Sequence, residues 1–177
     1  FTIDTVTYSN FPLNADSLIA ASADEAKIKS GSPFDVVSLD AERNRLSNLF
    51  RNNGYYYYQP SYASYRADTV NTPGKVKLDV ELADNLPEKA LKKWYIGNIS
   101  INLRRTFMEE LKDSIHYYFF HAYFNGKKPP VRPRVIMSDM KLRHGQPYDY
   151  SKHTESNNRI ASKGMFSSVD FQFTPRD

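Results

Sequence analysis

Alternating hydrophobic and charged positions predict one strand with particular clarity. From residue 75 to residue 82, four aliphatic side chains alternate with charged ones, the period of two that buries one face of a strand and wets the other. A turn at residues 71–74 precedes this segment, with proline followed by glycine. The aromatic run that starts at residues 55–58 and continues beyond them is predicted to be the strand before that turn.

Helical periodicity predicts two helices upstream of this pair of strands. Residues 14–29 are read as the first helix, started by Asn14 or Asp16. Ser38 is the predicted N-cap of the second helix, which ends at Gly54. One face of the second helix carries four apolar residues: Leu39, Leu46, Leu49 and Phe50. With a strand at residues 1–8, the predicted order is strand, helix, helix, strand, strand.

An internal repeat extends this order to the rest of the chain. The segment 31–35, Gly-Ser-Pro-Phe-Asp, is echoed by 145–149, Gly-Gln-Pro-Tyr-Asp, which lies 114 residues later. Arg159 also lies 114 residues after Arg45, in matching Asn-Arg-aliphatic triplets. An agreement that keeps one register without a gap predicts two copies of one turn-and-helix unit.

The second copy resembles the first with two differences. Ser151 is the predicted cap of its helix, which ends at Gly164 and is followed by an alternating strand at 165–173. Its leading strand, 94–103, lies only 93 residues after the first one, so about 21 extra residues fall within 104–136. Nothing in the sequence follows to match the strand at residues 75–82.

These elements predict an α+β protein of two tandem modules. Each is a β-α-α-β-β unit, a small mixed sheet covered by two helices, and the second has an insertion and lacks its last strand. A polar, proline-containing connection places the modules at 1–88 and 89–177. Because the chain starts at Phe1 without an initiator methionine, we expect it to be a piece of a longer protein.

Composition and motifs argue against an enzyme. Hydrophobic residues form 40% of the chain and aromatic residues 14%, enough for a packed core, and the absence of cysteine excludes disulfides and thiolate sites. None of the four histidines has metal-ligand spacing, and the five-residue separation of His116 and His121 places them off a common helical face. No nucleotide-binding loop or nucleophile elbow occurs. We therefore expect no catalytic residue, no metal and no cofactor.

With those segments laid out, the chain resembles the POTRA domains that stand in tandem before the barrel of outer-membrane protein assembly factors and related translocation-and-assembly proteins. The tyrosine-rich, insertion-bearing character is similar to versions from Bacteroidetes. The resemblance covers nearly the whole chain and rests on an ordered set of segments: 39–46, 53–56, 75–82, 94–101, 142–148 and 166–177.

The resemblance implies a location and a function. It implies the periplasmic side of the outer membrane of a Gram-negative bacterium and a membrane-embedded β-barrel C-terminal to this segment in the parent chain. It also implies a binding scaffold that receives unfolded outer-membrane proteins, accessory periplasmic proteins or lipoproteins, in assembly or in translocation.

Tyrosines supply the first candidate binding site. Tyrosine gives a large contact area at low entropic cost, and a sheet edge can accept an added strand through its free main-chain groups. The predicted docking edge contains Tyr57, Tyr58, Tyr62 and Tyr65. Packing of these rings in the core, beside a solvated edge, is the competing interpretation. Proline at position 62 is expected to block docking.

The insertion supplies the second candidate site. An aromatic run at 117–124 precedes four basic residues interleaved with prolines: Lys127, Lys128, Arg132 and Arg134. Aromatic and basic residues together can bind single-stranded nucleic acid, which makes a basic nucleic-acid-binding protein the alternative function. Basic residues can also contact anionic lipid head groups at a membrane surface. A hairpin with aromatic residues packed on the module is the third interpretation.

Overall fold

A computed structural model describes residues 1–164 and 166–176. The chain divides into two compact units, Phe1–Lys93 and Trp94–Asp177. The limits predicted for the modules, 1–88 and 89–177, remain a prediction about which segments fold independently. Among the described residues, no helix has both the length and the apolar character needed to cross a bilayer.

Unit 1 has the predicted order of elements. They are β1 (Thr2–Ser9), α1 (Leu13–Ala21), α2 (Val36–Arg51), β2 (Ala63–Asp68) and β3 (Lys75–Leu82). The central strand is β3, which runs parallel to β1 and antiparallel to β2. Its alternating residues Val76, Leu78 and Val80 are buried, each contributing about 1.5–3 kcal/mol of hydrophobic stabilisation. The alternation therefore predicted this strand, and its position in the middle of the sheet comes from the structure.

The second helix of unit 1 starts earlier than predicted. Its cap is Asp35, whose side chain accepts a hydrogen bond of 2.7 Å from the Ser38 N–H. The prediction of Ser38 as the cap is therefore wrong: Ser38 is the residue whose backbone is capped. The face of α2 that carries Leu46 and Phe50 is buried against the sheet, as predicted.

The tyrosine run is not the strand that the sequence predicted. The rings of Tyr55 and Tyr58 pack against Phe50 of α2, with centroids 5.8 and 4.8 Å from its ring. Gly54 lies three residues after the end of α2 at Arg51, and its left-handed conformation, with φ of +100°, turns the chain so that these rings reach the core. A short 3-10 turn at Pro60–Tyr62 follows, and β2 begins only at Ala63.

The first helix is shorter than the predicted 14–29. It ends at Ala21 and is followed by a 3-10 turn, Ala23–Glu25. Neither Asn14 nor Asp16 is its cap, because both lie inside the helix and the cap position is Pro12, which has no side-chain hydrogen bond.

Unit 2 is built around a four-stranded sheet. Its elements are β4 (Ile99–Arg104), β5 (Asp113–Tyr117), β6 (Phe120–Phe124), α3 (Pro133–Asp139), α4 (Tyr150–Ser162) and β7 (Ser168–Gln172), and the strand order is β5-β6-β4-β7. The predicted strands at 94–103 and 165–173 are longer than β4 and β7, and Met165 lies outside the described residues. The cap of α4 is Asp149 rather than Ser151.

The sheet of unit 2 is completed by a different pairing. In unit 1 the strand β3 lies between β1 and β2, whereas in unit 2 β7 pairs antiparallel with β4 directly. The inserted residues form the hairpin of β5 and β6, and β6 pairs with β4 in parallel. The sheet of unit 2 thus has no strand that corresponds to β3, and the insertion adds the two strands β5 and β6 to it.

The repeated turns have the same local structure in both units. In unit 1 the Gly31 N–H donates to the Ile3 carbonyl at 2.7 Å, and the Ile3 N–H donates to the Ser32 carbonyl at 2.8 Å. In unit 2 the Gly145 N–H donates to the Ile96 carbonyl at the same 2.7 Å. Both glycines have positive φ, +88° and +83°, which accounts for glycine at the two positions. The turn of unit 1 thereby anchors β1, and the turn of unit 2 anchors the segment just before β4.

Candidate docking edge and basic insertion

The outer edge of β2 in unit 1 carries main-chain groups that do not bond to β3, and some of them have no partner among the residues that the structure describes. The Ala83 N–H donates to the Tyr62 carbonyl at 2.9 Å, and Ala63 lies opposite Leu82 in the register. Directly opposed residues of an antiparallel pair alternate between hydrogen-bonded and non-bonded pairs. The N–H and C=O groups of Ala63, Tyr65 and Ala67 therefore point away from β3, towards the open side of the sheet.

The first of these three residues is already occupied. The Ala63 N–H donates to the Pro60 carbonyl, and the Ala63 carbonyl accepts a 3.1 Å hydrogen bond from Arg43 Nε. The same guanidinium lies over the Tyr65 ring, 4.9 Å from its centroid. The section open to a partner is thus Tyr65–Ala67, and Ala67 itself is exposed.

Only one of the four predicted docking tyrosines lies on this strand. Tyr65 is on β2, and its hydroxyl donates to the Leu39 carbonyl at 2.7 Å, which ties the ring to α2. Burial raises the pKa of Tyr65 above its ordinary value. Its contribution to the edge is therefore its main chain, while its ring packs inward.

The other three tyrosines precede the strand. Tyr58 is buried, which raises its pKa, and its hydroxyl has no hydrogen-bond partner within the described residues. The ring of Tyr62 packs on Tyr58 at 5.6 Å, and Tyr57 lies under the Lys89 ammonium at 4.4 Å. These contacts correct the expectation that all four tyrosines lie on one edge strand: three of them precede β2, and main-chain groups form the edge.

A buried carboxylate that sequence reasoning missed fixes α2 in unit 1. Glu42 is completely buried and accepts hydrogen bonds from Arg45 at 2.6 and 2.7 Å and from the Lys27 N–H at 3.0 Å. It also accepts one from the Tyr8 hydroxyl of β1. Burial and the neighbouring carboxylate raise the pKa of Tyr8. The cluster joins β1, α2 and the segment between the helices, which is a structural role.

The repeat gives this carboxylate a counterpart in unit 2. Ser156 lies 114 residues after Glu42, and it is also fully buried. Its hydroxyl accepts a 2.8 Å hydrogen bond from the Lys141 N–H, which lies 114 residues after Lys27. A neutral hydroxyl therefore caps the same backbone group that a carboxylate caps in unit 1. The 114-residue spacing of the repeat could have predicted this correspondence, because it pairs each position of unit 1 with one of unit 2.

The inserted hairpin brings together two histidines that the sequence had separated. His116 and His121 are opposite one another on β5 and β6, and their rings stack with centroids 4.4 Å apart. The sequence analysis considered them on a helix, where residues five positions apart point in different directions. In a hairpin, the two residues face each other across the strands. Among residues 1–164 and 166–176, no group of three or more potential metal-ligating side chains occurs.

The hairpin also determines which aromatic residues of the insertion are exposed. Phe120 and Phe124 are buried in the core of unit 2, so neither ring is available to stack on nucleic-acid bases. All four residues of the predicted basic insertion surface are exposed: Lys127, Lys128, Arg132 and Arg134. The loop after β4 adds two exposed apolar residues, Phe107 and Met108. Neither was a candidate in the sequence analysis.

Comparison with known proteins addresses the fold. No protein-family model matches the chain, and no curated protein matches it either. Among solved structures, the crystal structure of Haemophilus influenzae BamA POTRA3-5 matches with a TM-score of 0.54 at 10% sequence identity, over 96% of this chain and 53% of that chain. The chain thus spans about half the length of that structure. With the β-α-α-β-β order of unit 1 and its echo in unit 2, the chain has the fold of tandem POTRA domains.

Proposed function

We propose that this chain is a non-enzymatic scaffold on the periplasmic side of the outer membrane, which receives extended segments of unfolded outer-membrane proteins or of accessory proteins. The observation that carries the proposal is the open section of β2, Tyr65–Ala67, in a fold shared with POTRA domains of BamA. In the parent chain the scaffold precedes a β-barrel. It needs no cofactor, since recognition uses main-chain hydrogen bonds.

The open section also sets the mode of recognition. Two outward-facing residues offer two N–H and two C=O groups, so an added strand forms at most four main-chain hydrogen bonds there. Such bonds require no particular side chains in the incoming strand. That property suits a receptor for many barrel proteins, because their strands share an extended backbone and differ in sequence.

The free energy of the main-chain hydrogen bonds, set against the cost of association, predicts weak binding at this edge. Each hydrogen bond contributes about 1 kcal/mol net, so four contribute about 4 kcal/mol. Association costs about 4–15 kcal/mol in lost translational and rotational freedom. Main-chain bonds alone therefore give no net binding free energy, since a millimolar complex already needs about −4 kcal/mol, and useful affinity requires side-chain contacts or several docking edges together. Weak binding allows a client segment to be released.

A proline at Ala67 tests the docking edge. The substitution A67P removes one outward N–H without removing a bond to β3, and edge strands tolerate proline at such positions. The matched control A67V adds a side chain but keeps the N–H. We expect cross-linking to peptides from barrel strands to fall strongly in A67P and to persist in A67V.

One outcome of that experiment refutes docking at this edge. Equal cross-linking in both variants, with circular dichroism showing both folded, contradicts docking at β2. The proline predicted to block docking at Tyr62 is unsuitable, because the Tyr62 N–H donates to the Gln59 carbonyl and its loss disturbs the turn before the strand.

A further inference from the structure

The loop between β4 and β5 holds two apolar side chains in solvent. Phe107 is 86% exposed and Met108 is 79% exposed, although they are adjacent and belong to an ordered turn. Within that turn the Arg105 N–H donates to Glu109 Oε1 at 2.8 Å, and the Glu109 N–H donates to the Thr106 carbonyl at 3.2 Å. We call Phe107 and Met108 the apolar tip.

The backbone at the apolar tip is in a conformation that is unfavourable for its residue type. Met108 has a φ of +66°. This is the left-handed region of the backbone, which residues other than glycine, asparagine and aspartate seldom adopt. The hydrogen bonds of the turn hold it there. Retained strain beside exposed apolar side chains is the kind of outlier that occurs at binding sites.

The net charge of the protein is concentrated in the same segment. Residues 104–136 contain seven basic and three acidic residues, whereas the whole chain contains 24 and 20. The rest of the chain therefore has 17 of each sign, and the entire excess of +4 belongs to the insertion. A localised excess of this kind attracts an anionic surface.

Strand direction places two of these charges at the same end of the sheet as the apolar tip. Because β4 and β6 are parallel, the loops that follow them leave the same end of the sheet. The loop after β4 carries the apolar tip, and the loop after β6 carries Lys127 and Lys128. Within the part of the chain that the structure describes, neither lysine forms an ion pair. Their charges are available to a partner.

We propose that this end of unit 2 docks on an anionic lipid bilayer surface, with the apolar tip inserted between head groups and Lys127 and Lys128 on lipid phosphates. Apolar insertion and basic attraction together are the combination that binds peripheral proteins to membranes. Single-stranded nucleic acid fits less well, because successive bases need several exposed rings, whereas Phe107 is the only aromatic residue in these two loops and the hairpin rings Phe120 and Phe124 are buried. The proposal concerns unit 2 and is independent of strand docking at β2.

Sedimentation with lipid vesicles tests the proposal on the whole chain. We expect binding to vesicles of phosphatidylcholine with about one quarter phosphatidylglycerol, little binding to pure phosphatidylcholine, and weakening as salt is added. K127Q/K128Q removes two charges near the surface, each worth about fivefold in partitioning, so binding should fall about 25-fold. F107S/M108S removes the inserted groups and should lower binding about tenfold or more.

Matched variants in unit 1 control for charge and for apolar exposure. K75Q/K77Q removes two exposed lysines of β3, and V70S removes an apolar side chain that is 87% exposed. Both should bind vesicles like the unchanged chain. If all four variants bind equally, or if the chain does not distinguish the two kinds of vesicle, the proposal is overturned. Tighter binding to a single-stranded oligonucleotide, unaffected by F107S/M108S, also overturns it and favours nucleic acid.

Discussion

Removal of the buried carboxylate in unit 1 is the perturbation whose cost can be worked out most fully from the structure. Glu42 is wholly buried, and E42A leaves the Arg45 guanidinium, with a side chain only 10% exposed, without its ion-pair partner. The Lys27 N–H and the Tyr8 hydroxyl also lose their acceptor. Breaking one side of a buried ion pair costs about 3–5 kcal/mol. A loss of that size is a large part of the stability of a small domain, about 5–15 kcal/mol.

Urea unfolding followed by hydrogen exchange in each unit measures this loss. The matched control is E155A in unit 2, which breaks the pair of Glu155 with Arg159, 2.9 Å apart and about half exposed on both sides. That surface pair should contribute less than about 1 kcal/mol. E42S copies the hydroxyl that Ser156 supplies in unit 2, so it should retain the Lys27 cap but not the charge pairing. An E42A loss below about 1 kcal/mol, or equal to that of E155A, would refute the assignment of Glu42 as the tie between β1 and α2.

Three further predictions concern unit 1. D35A removes the cap of α2 and should cost about 1 kcal/mol in urea unfolding, while S38A should cost much less; the reverse ranking would restore the sequence-based cap. Y58F removes a buried hydroxyl without a partner in the described residues, so unfolding should show no loss or a small gain, and a loss above about 1 kcal/mol would reveal a missed hydrogen bond. The pKa values of Tyr8, Tyr58 and Tyr65 are raised above the ordinary value of about 10, chiefly by burial. The stability that these three tyrosines give unit 1 is therefore complete below about pH 10 and is lost as the pH rises further. An alkaline titration by circular dichroism that shows unit 1 equally stable on both sides of that pH would contradict these shifts.

The sequence could predict elements whose local pattern has a single interpretation. Residues 75–82 alternate strictly, and they are the central strand of unit 1. The start of α2 was harder to predict, because Val36 and Val37 inside its first turn are 70% and 80% exposed and do not follow the buried face. Asp35 and Ser38 are both residue types that favour caps, so only the geometry of the turn could decide between them.

Long-range contacts account for most of what the sequence did not predict. The tyrosine run looked like a strand, but its rings are held on Phe50 by a turn at Gly54 that periodicity cannot indicate. The direct pairing of β7 with β4 depends on which strands compete for the same edge. Of the candidate sites, the basic residues were found as a local stretch in the sequence, whereas the open section of β2 required the register of the sheet. The similarity to Bacteroidetes versions remains a prediction.

Amide hydrogen exchange at β2, with and without a barrel-strand peptide, tests the central claim most directly. In the free chain the outward amides of Tyr65 and Ala67 should exchange fast, and the amide of Arg66, which faces β3, should exchange slowly. Addition of an alternating amphipathic peptide should slow Tyr65 and Ala67 and leave Arg66 as it was. Peptide binding that leaves both outward amides fast, or that protects residues elsewhere in their place, would contradict strand docking at this edge.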